Sequence, residues 1–128
     1  MARLYSPKLT LLRVAISLYT LFLAYASLAP GTGVPGSGVP GILLHLAAYL
    51  VLGLLASAAF PIRFERSRLR VVATVVGIGV LFELLQLVVP GRVFALPDLV
   101  ANIAGAALVW FRPAVDGLFS SEGTEEEP

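Results

Sequence analysis

The chain has 128 residues, of which 58% are hydrophobic and only 13% charged, with a formal net charge of +1. Average soluble domains carry about 25% charged residues, and a chain this small leaves much of its surface to solvent, so a soluble monomer, a disordered chain and a nucleic-acid binder are all excluded. The mean hydropathy of +0.90 fits an integral membrane protein, and the absence of cysteine excludes disulfides, thiolate metal sites and a cysteine nucleophile.

A spanning helix needs about 20 apolar residues. The first such stretch runs from Leu9 to Ala29, with Arg13 in its opening turns. Gly31 to Pro40 then holds four glycines, two prolines and no charge, and reads as an exposed loop. The second stretch runs from Gly41 to Phe60, and Pro61 to Arg70 reads as an arginine-rich connection. The third runs from Val71 to Val89 and is followed by a Pro90-Gly91 turn. The fourth runs from Pro97 to Val115 and is interrupted early by Asp98 and Asn102. The expected architecture is all-α: a transmembrane bundle of four helices (9–29, 41–60, 71–89, 97–115) in one domain over residues 1–115. Residues 116–128 form an acidic tail, read as disordered.

Basic residues orient the bundle. Arg3, Lys8 and Arg13 flank the first segment; Arg63, Arg66, Arg68 and Arg70 lie between the second and third; Arg112 follows the fourth; and Arg92 alone falls on the other side. By the positive-inside rule both termini are expected in the cytoplasm of a multi-pass cell-membrane protein. Phe60, Phe64, Trp110 and Phe111 then form an aromatic belt at the inner interface. Ala24-Tyr25-Ala26 also permits reading the first segment as a cleaved signal peptide, which leaves the other orientations unchanged.

An ionisable or strongly polar group in hydrocarbon is costly and marks a candidate functional site. His45 and Tyr49 stand at i, i+4 on the second helix and Glu83 and Gln86 at i, i+3 on the third. Asp98, Asn102 and Gly105 share a face of the fourth. With these limits Glu83 lies roughly 4–5 Å, Asn102 roughly 6 Å, His45 roughly 8 Å and Gln86 roughly 9 Å outward of their helix centres. Asp98 and Arg92 fall at the outer surface. Every polar group thus belongs to the outer half of the bundle.

These residues carry a resemblance. His45-Leu-Ala-Ala-Tyr49, Glu83-Leu-Leu-Gln86, Pro90-Gly91-Arg92 and Asp98-Leu-Val-Ala-Asn102-Ile-Ala-Gly105 resemble, in order and spacing over residues 40–110, the membrane domain of the VanZ-like family. That family is marked by a Glu-x-x-Gln helix, a Pro-Gly-Arg turn and an Asp-x-x-x-Asn-x-x-Gly helix. A small polar residue often follows its arginine; Val93 or Ala95 stands there here. The resemblance implies a small polytopic membrane protein, in a family whose founding member is associated with low-level teicoplanin resistance.

Each candidate has a structural alternative. Glu83 carries a proton, holds a cation or binds a polar ligand, or it pairs with Arg92 or His45 to fix packing. Arg92 clamps a phosphate or carboxylate, or bridges to Asp98 or Glu83. Asp98 after Pro97 is equally an N-cap. Asn102, Gln86 and Tyr49 can serve as interhelical hydrogen-bonding groups, and His45 as a satisfied structural histidine or a proton relay. Gly53 to Ser57 and Ala101 to Gly105 are small-xxx-small pairs that favour close helix contact and leave oligomerisation open. No metal site, cofactor or phosphate loop is expected. The expected partners are membrane lipids and an amphipathic envelope ligand, with no nucleic acid. Three functions remain: an outer-leaflet site that binds or acts on an envelope lipid or lipoglycopeptide, a small transporter or proton-coupled channel, and a structural or accessory subunit. Whether the chain is an enzyme stays open.

Overall fold

The computed structural model describes residues 7–30, 39–60 and 65–111. Arg3, the Gly31–Gly38 part of the first loop, Arg63, Phe64, Arg112 and the acidic tail lie outside the described residues. The described residues form four α-helices, with no strand among them: α1 (Pro7–Leu28), α2 (Val39–Ala59), α3 (Glu65–Gln86) and α4 (Leu96–Leu108). A single 3-10 turn, Val109–Phe111, extends α4.

Helices α1 and α2 start two residues ahead of the expected limits and end one residue short of them. For α3 the limits shift by several residues. The segment Glu65–Arg70, expected as a connection, is the first turns of the helix, and the helix ends at Gln86 instead of Val89. Arginine is a good helix former and its long side chain reaches water from a helix surface, so the arginines need no loop. Glu83 consequently lies about 11 Å from the α3 midpoint. The chain then turns through Pro90 and Gly91, whose φ of 79° is the left-handed conformation that glycine adopts without cost.

The fourth element starts one residue ahead of its expected limit, and its expected end at Val115 lies outside the described residues. It starts at Leu96, with Ala95 as N-cap and Pro97 in the first turn, and its described part ends at Phe111. At 1.5 Å per α-residue and about 2 Å per 3-10 residue this described part is about 26 Å long, against the roughly 30 Å of a hydrocarbon core. Three helices, α1, α2 and α3, are long and apolar enough to cross a membrane.

Between helices in lipid the hydrophobic effect is weak, so close packing and hydrogen bonds must hold the bundle. The α2–α4 pair shows how. The two helices run parallel, with His45 opposite Asn102 and Gly53 opposite Val109. At Gly105 a side-chain Cβ would collide with the Leu46 carbonyl oxygen, so only a glycine lets the backbones meet there. Helix α3 is antiparallel to α4, joined by Glu83 and Asn102 at one end and Arg68 and Trp110 at the other. Leu52, Val75, Phe82, Ala56 and Ala106 fill the core between them. Helix α1 is peripheral, burying Leu23 and donating the Tyr19 hydroxyl to the Ala48 carbonyl (3.1 Å). The outer faces carry exposed Leu18, Phe22, Leu44, Leu54, Leu81 and Ile103, a surface suited to lipid tails.

Candidate functional site

The short connections and antiparallel course of α1 to α3 bring four ends together: the C-terminus of α1, the N-terminus of α2, the C-terminus of α3 and the N-terminus of α4. Four of the polar residues meet there. His45 Nδ1 lies 3.0 Å from Asn102 Oδ1, so the imidazole N–H donates and the amide oxygen accepts. Asn102 Nδ2 donates in turn to Glu83 Oε1 at 3.4 Å. On the other ring edge, His45 Nε2 stands 3.6 Å from Asp98 Oδ2, and Nδ1 stands 3.8 Å from Glu83 Oε1. A continuous polar line runs Asp98, His45, Asn102, Glu83, with one member from α2, one from α3 and two from α4.

Burial grades along this line. The side chains of His45 and Asp98 are 26% and 14% exposed, whereas that of Glu83 is 2% exposed. The backbone amide of Ala95 faces the Glu83 carboxylate, yet Oε2 is fully buried and completes no hydrogen bond among the described residues. A buried oxygen without a partner carries its full desolvation cost, about 1–3 kcal/mol and more for a charged group. The packing around the line fixes it. Gly79 on α3 leaves room for the Tyr49 ring and the Asn102 Cβ; a Cβ at Gly79 would meet them at 2.9 and 3.2 Å. Tyr49 is thus buried against α3 beside the cluster, and Gln86 is buried one turn beyond Glu83.

Asp98 does not cap α4. Ala95 holds that position, no side chain caps the helix, and Asp98 sits in the first turn. Its carboxylate complements the positive end of the helix dipole and faces His45.

Arg92 points elsewhere. Its Nε donates to the Ala29 carbonyl at 3.2 Å, and an Nη donates to the Ala26 carbonyl. These carbonyls belong to the last turn of α1 and the residue after it, where backbone acceptors lack helical partners and a cation meets the negative end of the dipole. The arginine fastens the α3–α4 turn to the peripheral helix. Nothing in the sequence singles out this contact, which spans 63 residues and uses backbone acceptors any residue supplies. Arg92→Gln is expected to lower the stability of the solubilised protein by about 1.5–3 kcal/mol, and Arg92→Lys to restore little of it because an ammonium lacks the planar fork. Thermal unfolding of both variants in one detergent checks this; a lysine variant as stable as the parent contradicts it.

No cluster of three or more His, Cys, Asp or Glu suited to a metal occurs among the described residues. The opposite end of the bundle has the reverse charge. Lys8 and Arg13 open α1, Arg66 and Arg70 open α3, and Arg68 stacks on Trp110 with its guanidinium carbon 5.4 Å from the ring centroid.

Apolar helices of spanning length, a small-residue helix interface and a buried polar line at one end define the class: a small all-helical membrane protein. A family model described as VanZ/LLP1 matches residues 6–113. The chain belongs to the VanZ-like family, and the match includes α1 as well as the motif region. Comparison with curated proteins and with solved structures finds no match.

Proposed function

We propose that this VanZ-type membrane protein sits in the cell membrane with both termini in the cytoplasm. Its polar line then opens toward the outer leaflet, where it binds or acts on an amphipathic envelope lipid or lipoglycopeptide. The positive-inside rule supports the orientation, because Lys8, Arg13, Arg66, Arg68 and Arg70 share one end while Glu83 and Asp98 mark the other. The observation that carries the reading is Glu83 Oε2, a buried acceptor without a partner among the described residues, behind the partly exposed His45 and Asp98.

The chemistry of this line is that of acceptors. Its two carboxylates favour hydroxyl and amine donors, as found on sugar or amino head groups, over phosphate. Glu83 serves as the polar anchor or as acid or base, His45 links it to the surface, and Asp98 and Asn102 orient the ring. Arg92 acts by placing the turn before α4. A transporter needs polar groups along its whole path, and the core beyond the cluster is Leu52, Ala56 and Val75.

The test has two parts. Protein isolated in mild detergent is examined by lipid mass spectrometry for co-purifying amphiphiles. Teicoplanin susceptibility is measured in a sensitive host with and without the chain. A retained glycolipid or aminolipid, or raised resistance, that His45→Ala removes supports the reading. Unchanged retention and resistance in that variant sinks it.

A further inference from the structure

At the arginine end, a cleft of about 450 Å³ opens between α1, α2 and α3. Its wall is apolar, with Ile16 from α1, Leu52 from α2, Phe60 just after α2 and Val75 from α3, and the α3 turn at its mouth supplies Ser67 and Arg70. Ligand sites have this size and makeup: about 300–1,000 Å³, mostly apolar, with a few placed polar groups. Arg70 and Glu83 stand about 20 Å apart along α3, so the cleft is separate from the polar line.

We propose that this cleft holds one acyl chain of an anionic phospholipid, with its phosphate on Arg70 and Ser67. Three observations carry it. The cleft is open and lined by side chains that match a hydrocarbon tail. Ser67 and Arg70 are three residues apart on one helix face, so a hydroxyl donor and a guanidinium fork converge on one head group. The basic groups of this end are differently occupied. Arg68 is held by the Trp110 ring and carbonyl, whereas Arg70 lines the cleft and has no ion pair among the described residues. The first turns of α3, residues 65–70, hold three arginines against one glutamate, Glu65, so the charge at the mouth is positive on balance. Basic pockets between membrane helices recognise anionic head groups in this manner. The site is independent of the envelope-ligand reading and of Glu83.

The test is native mass spectrometry of the full chain from mixed micelles holding equal phosphatidylglycerol and phosphatidylcholine of the same acyl length. The parent protein is expected to retain one phosphatidylglycerol in preference to phosphatidylcholine. Arg70→Gln, at an exposed position, is expected to cut that preference about five-fold, the effect of roughly one arginine contact. Arg13→Gln, which removes the same charge from the same end outside the cleft, should leave it unchanged. Ala56→Phe fills the cleft from α2, and Ile16→Phe fills it from the peripheral helix where α2 does not tolerate the change; each should expel both lipids. Excess inorganic phosphate should leave the lipid in place. Equal retention of both lipids by the parent, equal losses in the two arginine variants, lipid retained in a folded cleft-filling variant, or release by phosphate alone each overturns the proposal.

Discussion

Gly105→Ala is expected to lower the stability of the bundle more than any other single added methyl group. Its Cβ would collide with the Leu46 carbonyl oxygen and meet the Leu50 nitrogen at 3.0 Å and the Leu46 carbonyl carbon at 3.1 Å. All three are backbone atoms of α2, so no rotamer change relieves the clash and the two helices must move apart. Overpacking costs about 1–3 kcal/mol where side chains can yield, and here they cannot, so the upper part of that range is expected. Two glycines calibrate the effect. At Gly53 the added atom meets the Val109 Cγ2 at 2.5 Å, a side chain that can shift, and the loss should be smaller. At Gly77 nothing lies within 4 Å, so alanine should be neutral or stabilise the helix by up to about 1 kcal/mol. The order Gly77, Gly53, Gly105 in thermal midpoints of the three alanine variants, measured in one detergent, checks the prediction. A Gly105 variant as stable as the Gly77 variant would show that α2 and α4 are not in backbone contact.

The same pair of helices shows what can be read from sequence. The small-xxx-small spacing at Gly53–Ser57 and Ala101–Gly105 marks faces for close approach, and Gly53 and Gly105 do lie between α2 and α4. The spacing does not say which helices meet, since α2, α3 and α4 all carry small residues. Apolar runs locate α1 and α2 because their limits coincide with Pro and Gly punctuation. They misplace the start of α3, because a run of charge marks the end of the hydrocarbon and not the end of the helix. Within the fourth element the chain tightens to a 3-10 turn at Val109–Phe111, a change of hydrogen bonding that hydropathy does not register.

For the polar residues, depth along each helix puts Glu83, Asn102, Asp98 and His45 at one end, and the structure links them by side-chain contacts. The order of the linkage is not readable. It depends on Asn102 standing between His45 and Glu83, which follows from the crossing of α2 over α4 at Gly105. A glycine that carries no chemistry therefore sets the geometry of a histidine and a carboxylate on two other helices. Arg92 shows the limit most plainly. The acidic residues nearest to it in sequence are Asp98 and Glu83, which make an acidic partner natural, whereas it donates to α1 carbonyls that no sequence pattern exposes.

Glu83→Gln is the second variant with a large expected effect, and its value lies in separating ligand response from folding. Glutamine keeps the volume, and its amide oxygen can accept from Asn102 Nδ2 as Oε1 does at 3.4 Å. What it loses is the charge and the second acceptor, the buried Oε2 that no described group satisfies. The variant keeps the Asn102 contact and removes an ionisable group whose burial without a full set of partners is costly, so the thermal midpoint should stay within the equivalent of about 1 kcal/mol or rise. A hydrogen bond between a ligand donor and a charged acceptor contributes about 1.5–3 kcal/mol, so loss of that acceptor should weaken ligand retention roughly 10- to 100-fold. Glu83→Leu should reduce it at least as far, also without unfolding the protein. Titration of the retained amphiphile against both variants, beside their unfolding midpoints, reads the two effects separately. A fall in stability with undiminished ligand retention would assign Glu83 to helix packing and remove it from the binding site.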